Sequence, residues 1–344
     1  AWRVRVAQAR QEIGSRIVAA LPGQTGAIAN ALITGERGGI SSATNDAFRD
    51  SGLYHMLSIS GLHMAVMGGS VFYFVRLLLA LSPAVALRFP VKKWAAAVAI
   101  AASLGYLVIS GAAFATVRSA VTIVVMFLAV ILDRPAIAMR NVAISALLIL
   151  LVWPESLTDV GFQMSFAAVV ALVAVFEAIR ARMQGRAEPW IPGPASRLGL
   201  FFAGVVGSTL IASIAVAPFA AYYFHKSQQL AVLANVVATP ISNLIVMPAA
   251  LGALVLMPFG LEPVALAAMG FGIDMMIRIA DWVAAMPGAV TYIPAIPASS
   301  FLLMVTGGLW LALWSGRVRL LGLAAVAAGL ALAPTMPRPD ILLL

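Results

Sequence analysis

The residues with the most chemical potential lie together in one stretch, His55-Met56-Leu57-Ser58-Ile59-Ser60-Gly61-Leu62-His63. It offers imidazoles and hydroxyls, the groups used for metal binding, proton transfer and nucleophilic attack. Each of these chemistries demands more than the stretch supplies. A histidine zinc site takes three or four ligands, often at i and i+4 on a helix. His55 and His63 are eight residues apart, and the third and last histidine is His225. A serine nucleophile needs a base and an orienting acid. Asp46 and Asp50 are near in sequence, but no nucleophile-elbow pattern surrounds either serine. We therefore expect no metal, no cofactor and no catalytic residue. The stretch has a conformational meaning instead. Ser-Ile-Ser-Gly is poor helix-forming material directly before a long apolar run, so the chain should bend there. Inside a membrane, broken helices are tolerated only where they are buried in protein or face water. His55, Ser58, Ser60, Gly61 and His63 are candidates for a gate, the plainer alternative being an interfacial turn that leads into a helix.

Other polar residues stand alone in apolar surroundings. Asp274, Arg278 and Asp281 recur at i, i+4 and i+7, on one face of a predicted helix, with the first two in salt-bridge register. A charge at bilayer depth costs about 2.5–3.5 kcal/mol or more, so it faces protein or water. The set either lines a polar cavity or forms a paired structural cluster. Arg118, Gln163, Asn235 and Asn243 each mark a path or an interhelical hydrogen bond. For Arg118 the path is favoured, because a guanidinium is costly to bury.

The elements that carry these residues follow from composition. The chain has 344 residues, 62% hydrophobic and 10% charged, with no cysteine. A soluble domain carries about 25% charged residues and needs a polar skin. A multi-pass membrane protein has no such need. Apolar runs at 62–80, 94–110, 117–132, 138–152, 162–180, 199–223, 230–256, 262–286, 299–315 and 319–334 predict an all-α, polytopic bundle of about ten transmembrane helices. Their continuity excludes the period-two alternation of a transmembrane barrel. Small residues around Gly204, Gly207 and Ser208 predict close helix packing.

Residues 1–61 differ. Arg3, Arg5, Arg10 and Arg16 among Trp2, Val6, Ile13 and Ile17 read as an amphipathic helix, lying on a membrane surface or packed on its own protein. Two short helices follow at 24–35 and 41–50. We expect three regions: 1–61 leading to the gate, 62–334 spanning the membrane, and 335–344 opening a further extracytoplasmic segment.

The net charge is +9. One set of connecting loops holds eight basic residues: Arg88, Lys92, Lys93, Arg134, Arg182, Arg186, Arg197 and Arg317. The opposite loops, at 111–116, 153–161, 224–229 and 287–298, hold one, Lys226. The positive-inside rule puts the first set in the cytoplasm and both ends of the chain outside it.

Several motifs now form an ordered pattern. Ala31-Leu32-Ile33-Thr34-Gly35-Glu36-Arg37 and Phe48 through His63 resemble the signature of the ComEC/Rec2 competence family, with Met56 and Ser58 in place of the commoner Leu and Ala. Thr116-Val117-Arg118-Ser119-Ala120, Trp153-Pro154 through Asp159-Val160-Gly161-Phe162-Gln163-Met164-Ser165-Phe166, Ala217-Pro218 with Phe224-His225, and Leu233-Ala234-Asn235 with Thr239-Pro240 resemble later motifs of that family. The resemblance implies an inner-membrane channel that imports single-stranded DNA during natural transformation. Implied partners are single-stranded DNA, membrane lipid, a periplasmic DNA-receptor protein and a cytoplasmic DNA-translocation motor. Family members often add a soluble β-barrel domain and a metallo-β-lactamase-like domain. This chain has no His-x-His-x-Asp-His run for such a nuclease site, so we expect it not to be an enzyme. The alternative function is a small-solute or lipid transporter, which predicts inverted repeats and a midplane pocket. An intramembrane enzyme would require a converging Ser/His/acid set. No nucleotide-binding loop is present, so ATP-driven pulling would fall to a partner.

Overall fold

A computed structural model describes residues 2–184 and 193–335. Arg186 and the segment beyond 335 lie outside the described residues. Helices α1 (Trp2–Ala20), α2 (Gly23–Thr34) and α3 (Ser42–Asp50) precede α4 (Gly61–Ala80), α5 (Pro83–Arg88), α6 (Val91–Ile109), α7 (Phe114–Ile131) and α8 (Met139–Val152). Next come α9 (Val160–Gln184), α10 (Pro194–Phe219), strand β1 (Lys226–Gln228), α11 (Ala231–Ile241), α12 (Met247–Leu256), α13 (Glu262–Ala284), strand β2 (Val290–Tyr292), α14 (Ala298–Leu313) and α15 (Leu320–Leu332). Every apolar run of the sequence is helical. Seven helical stretches among the described residues are long and apolar enough to cross a membrane. The runs at 138–152, 299–315 and 319–334 yield helices of 14, 16 and 13 residues. At 1.5 Å per residue each is shorter than a hydrocarbon core of about 30 Å. For α8 the cause is local, since Pro135 and Pro154 punctuate its two sides.

The chain forms two compact units, Ala1–Pro154 with Leu230–Ala289, and Glu155–Gln229 with Val290–Leu344. In the first, the short helices α2 and α3 supply Ile28, Leu32, Ile33 and Phe48 to a core completed by Ala234, Ala238, Ile241, Met269, Ile273 and Met276 of α11 and α13. A smaller core joins Ile59, Met64 and Met67 to Tyr106, Ala120, Ile123 and Met247. The two readings of α1 divide along its length. Gly14 and Ile17 are buried, Arg10 Nη2 donates to the Thr34 carbonyl at 2.8 Å, and Arg16 pairs with buried Glu262 at 2.5 Å. The second half thus packs on its own protein, while Trp2, Arg3 and Arg5 stay exposed.

In the second unit α9 packs on α10 and α14, and α14 on α15. Phe219, Ile296, Phe301 and Met304 form its core. Among the described residues the expected tight contact at Gly204 and Gly207 is absent: a Cβ at either meets nothing within 4 Å. Close approach occurs instead between α14 and α15. A Cβ on Gly307 would lie 2.7 Å from the Gly322 carbonyl oxygen, and one on Gly322 2.6 Å from that of Gly307. Ser300 Oγ donates to the Gly329 carbonyl at 2.6 Å on the same seam. Strands β1 and β2 pair antiparallel, Lys226 opposite Tyr292.

Two helices carry π-helical segments, 220–224 and 242–246. Each begins two residues after a helix-interior proline, Pro218 or Pro240. Proline lacks an N–H and crowds the carbonyl four residues back, and a widened turn absorbs the mismatch.

Replacing Gly322 by leucine should force α14 and α15 apart and lower the yield of folded, detergent-extracted protein. Gly204→Ala should leave that yield unchanged. Size-exclusion profiles of the purified variants check both.

Candidate functional site

The bend foreseen before the first long helix is present and is held by side chains. Gly52 leaves α3 at φ +78°, a left-handed conformation suited to glycine. Tyr54–Leu57 form one 3-10 turn, Ser58 and Ser60 are extended, and α4 starts at Gly61. Ser60 Oγ accepts the His63 backbone N–H at 3.5 Å, and His63 Nδ1 lies 3.3 Å from the Ser60 N–H, a capping box in which histidine takes the place usually held by Glu or Gln. Nδ1 lies closer, at 3.0 Å, to the Ser58 carbonyl oxygen. A ring nitrogen does one or the other: Nδ1 accepts the Ser60 N–H in one tautomer and donates to the Ser58 carbonyl in the other. At 3.5 Å from Nε2 stands the hydroxyl of Ser242, which can accept from or donate to the ring according to the tautomer. His63 is 1% exposed and Ser242 fully buried. Ser242 opens the π-helical segment 242–246, so His63 ties the break at 58–60 to the irregular backbone after Pro240.

The polar groups of the stretch are engaged in structural contacts. The partner of Nδ1 is a carbonyl, Ser58 Oγ donates to the His55 carbonyl at 3.3 Å, and Asp46 pairs with Arg49 at 3.0 Å. Among the described residues no three His, Asp or Glu side chains converge as a metal site requires. His55, ahead of the membrane-spanning segment, keeps an exposed surface. The protein packed around its ring nevertheless pushes its pKa below the ordinary value, opposed by a hydrogen bond at the Gly52 backbone.

Other candidates gather in part around this bend. A Cβ on Gly61 would meet Ser119 Oγ of α7 at 3.7 Å. The neighbouring Arg118 is buried, its guanidinium 5.5 Å from the Phe114 ring centre. Asn235 is buried on α11, donates to the Ala231 carbonyl at 2.8 Å and accepts from Thr239 at 3.4 Å. Asn243 Oδ1, beside Ser242, is buried with no hydrogen-bond partner among the described residues.

Asp274, Arg278 and Asp281 do share one face of α13, and all three are exposed. No ion pair joins Asp274 to Arg278 among the described residues. Thr25 of α2 donates to Asp274 instead. Asp274 edges a shallow open cleft of about 370 Å³, lined also by Leu21, Pro22, Thr25, Ala267, Gly270 and Phe271.

Gln163 lies in the second unit. Asp159 Oδ1 accepts the Phe162 N–H at 2.7 Å and so caps α9. Gln163 Nε2 donates to the Leu157 carbonyl at 2.9 Å, and its Oε1 accepts from Tyr223 Oη at 3.1 Å. The Asp-x-Gly-Phe-Gln motif therefore builds a helix start and ties it to the π-helical segment 220–224.

Three participants were missed in the sequence. Ser242 and Tyr223 sit in π-helical segments, and the available signal was the proline two residues before each segment. Tyr106 donates from α6 to the Leu32 carbonyl of α2. It follows no motif that sequence alone distinguishes from an ordinary core aromatic.

A family model described as competence protein matches residues 32–318. Over 260 residues the chain is 23% identical to ComE operon protein 3 of Bacillus subtilis (strain 168), covering 74% of this chain and 30% of that protein. Over 146 residues it is 33% identical to competence protein ComA of Neisseria gonorrhoeae, covering 42% of this chain and 20% of that one. The chain thus spans less than a third of the length of either relative. No solved structure matches it significantly.

Ser60→Ala should remove one cap acceptor, worth about 1 kcal/mol. His63→Ala should cost more, because it also leaves the buried Ser242 hydroxyl without its imidazole partner. The ranking is checked by thermal unfolding of the detergent-purified variants, with Ser242→Ala losing less once His63 is already alanine.

Proposed function

We propose that this chain, which belongs to the competence protein family, forms the membrane channel through which a single DNA strand is imported during natural transformation. The observation that carries this reading is the extent of the family match. Residues 32–318 take in the His63 bend, the Arg118 helix, the Asp159–Gln163 cap and both proline-linked π-helical segments. The family model and one relative are described as competence proteins, which favours DNA as cargo over a small solute.

The helices long enough to span make the protein multi-pass, and the family supports the bacterial inner membrane. The excess of basic residues in one set of loops supports a cytoplasmic location for that set, with the N-terminal part and the C-terminus outside. On this reading 1–61 leads into the gate and 62–334 is the transmembrane domain. A periplasmic receptor would deliver DNA, and a cytoplasmic motor would draw the strand inward.

The physics suits passage rather than storage. Tight binding of phosphates by many Lys and Arg side chains would stall a moving strand. The candidate path in the first unit offers few cations, chiefly Arg118 and Arg278, along with neutral polar groups at Asn235 and Asn243. The hydrogen-bonded break at 58–63 is the gate, since a small number of hydrogen bonds, one of them to Ser242 of a distant segment, holds it in this arrangement.

Deletion of the gene should abolish transformation. Arg118→Ala and His63→Ala, at matched protein levels, should each lower it by about tenfold or more, the effect of about 1.4 kcal/mol at a limiting step. Wild-type transformation frequencies in all three strains would remove the DNA reading.

A further inference from the structure

The loops least populated by cations contain one lysine, and it sits beside an exposed aromatic ring. Lys226 lies on β1 opposite Tyr292 on β2, its Nζ 5.2 Å from the ring centre. Tyr292 is 73% exposed and the nearby Phe224 55% exposed, so most of both rings is open. His225 between Phe224 and Lys226 is also exposed. It adopts φ +53°, a left-handed conformation unusual for a residue with a side chain, and its Nδ1 contacts the Ala221 carbonyl at 3.0 Å. The Ile293 N–H donates to the His225 carbonyl at 2.9 Å and clamps this turn to the β2 side. The turn is therefore built, and it presents rings and a cation past the end of α10.

Aromatic faces beside a lysine match the chemistry of a single-stranded nucleotide: bases stack on rings of any sequence context, and the phosphate between them meets the cation. We propose that Phe224, Lys226 and Tyr292 form a stacking platform that holds one or two nucleotides of the incoming strand at the channel mouth. This rests on the DNA-import reading and adds to it a named contact surface. Membrane-interface anchoring is the other use of exposed tyrosine at a helix end. It is disfavoured here because the ring sits on a strand under a lysine, with Thr291 exposed at its side.

The test is binding of a fluorescent oligothymidylate of about 16 nucleotides to the full-length protein in lipid nanodiscs, over a range of salt. Tyr292→Ala should weaken binding about fivefold or more with an unchanged salt slope, and Tyr292→Phe should retain wild-type affinity. Lys226→Ala should weaken binding and flatten the log K against log salt slope by about 0.7, with Lys226→Arg restoring both. Wild-type binding that is unaltered in Tyr292→Ala and Lys226→Ala overturns the platform and leaves the channel standing. Variants that change only the yield of membrane-inserted protein, at constant affinity, overturn it in favour of an interfacial anchor. Absence of binding by the wild type overturns the platform too, while the channel is judged separately by transformation of the deletion strain.

Discussion

Backbone groups freed inside hydrocarbon have no water to turn to, and each one left unpaired costs several kcal/mol. This constraint organises the chain. At three interruptions among the described residues, polar side chains appear and are hydrogen-bonded. At the entry to α4, Ser60 and His63 supply the acceptors that the N–H groups of a helix start lack. After Pro240 the widened turn brings Ser242 within reach of the same imidazole. After Pro218 the corresponding segment sends Tyr223 to Gln163 at the capped start of α9. Of the polar residues scattered along the apolar runs, His63 and Gln163 reach backbone carbonyls at these breaks. A transport path built from irregular backbone needs that satisfaction in its resting state and an alternative partner in its working state.

The same economy of charge shapes the first unit's N-terminal part. Arg10 and Arg16 are spent inward, one on the last turn of α2 and one on Glu262 at the start of α13. A carboxylate at a helix N-terminus is favoured by the helix dipole as well as by its arginine. Short helices α2 and α3 can therefore enter the core as apolar bodies, with Phe48 and Leu32 fully buried. Helix α13 shows the division clearly. Met269, Ile273 and Met276 face the core, while Asp274, Arg278 and Asp281 face away from it. Since such charges at membrane depth require water or protein, that second face is the one most suited to a wet path.

Much of this was legible in the sequence. Long apolar runs are decided by burial in lipid, so the helices at 61–80, 91–109 and 114–131 appear where expected. The bend at 58–60 followed from serine and glycine chemistry. Less local features were hidden. Gly204 and Gly207 resemble packing glycines in composition, yet the close seam forms at Gly307 and Gly322, because which helices become neighbours is a tertiary fact. The register of Asp274 with Arg278 suggested a pair, but Thr25, distant in sequence, takes the carboxylate. The π-helical segments were signalled by prolines, although nothing local says which side chain a widened turn will present. The three-residue strands escaped because cross-strand pairing depends on loops some sixty residues apart in sequence.

The natural absence of cysteine allows the central claim, a wet polar path marked by these side chains, to be measured directly. Single cysteines at positions 118, 235, 243 and 278 of the first unit would be exposed, in cells, to a membrane-impermeant thiol reagent with and without transforming DNA. The account predicts labelling at these positions, reduced when DNA is being imported, with no labelling at lipid-facing controls such as position 214. Uniform protection of all four, or labelling indifferent to DNA, would contradict it.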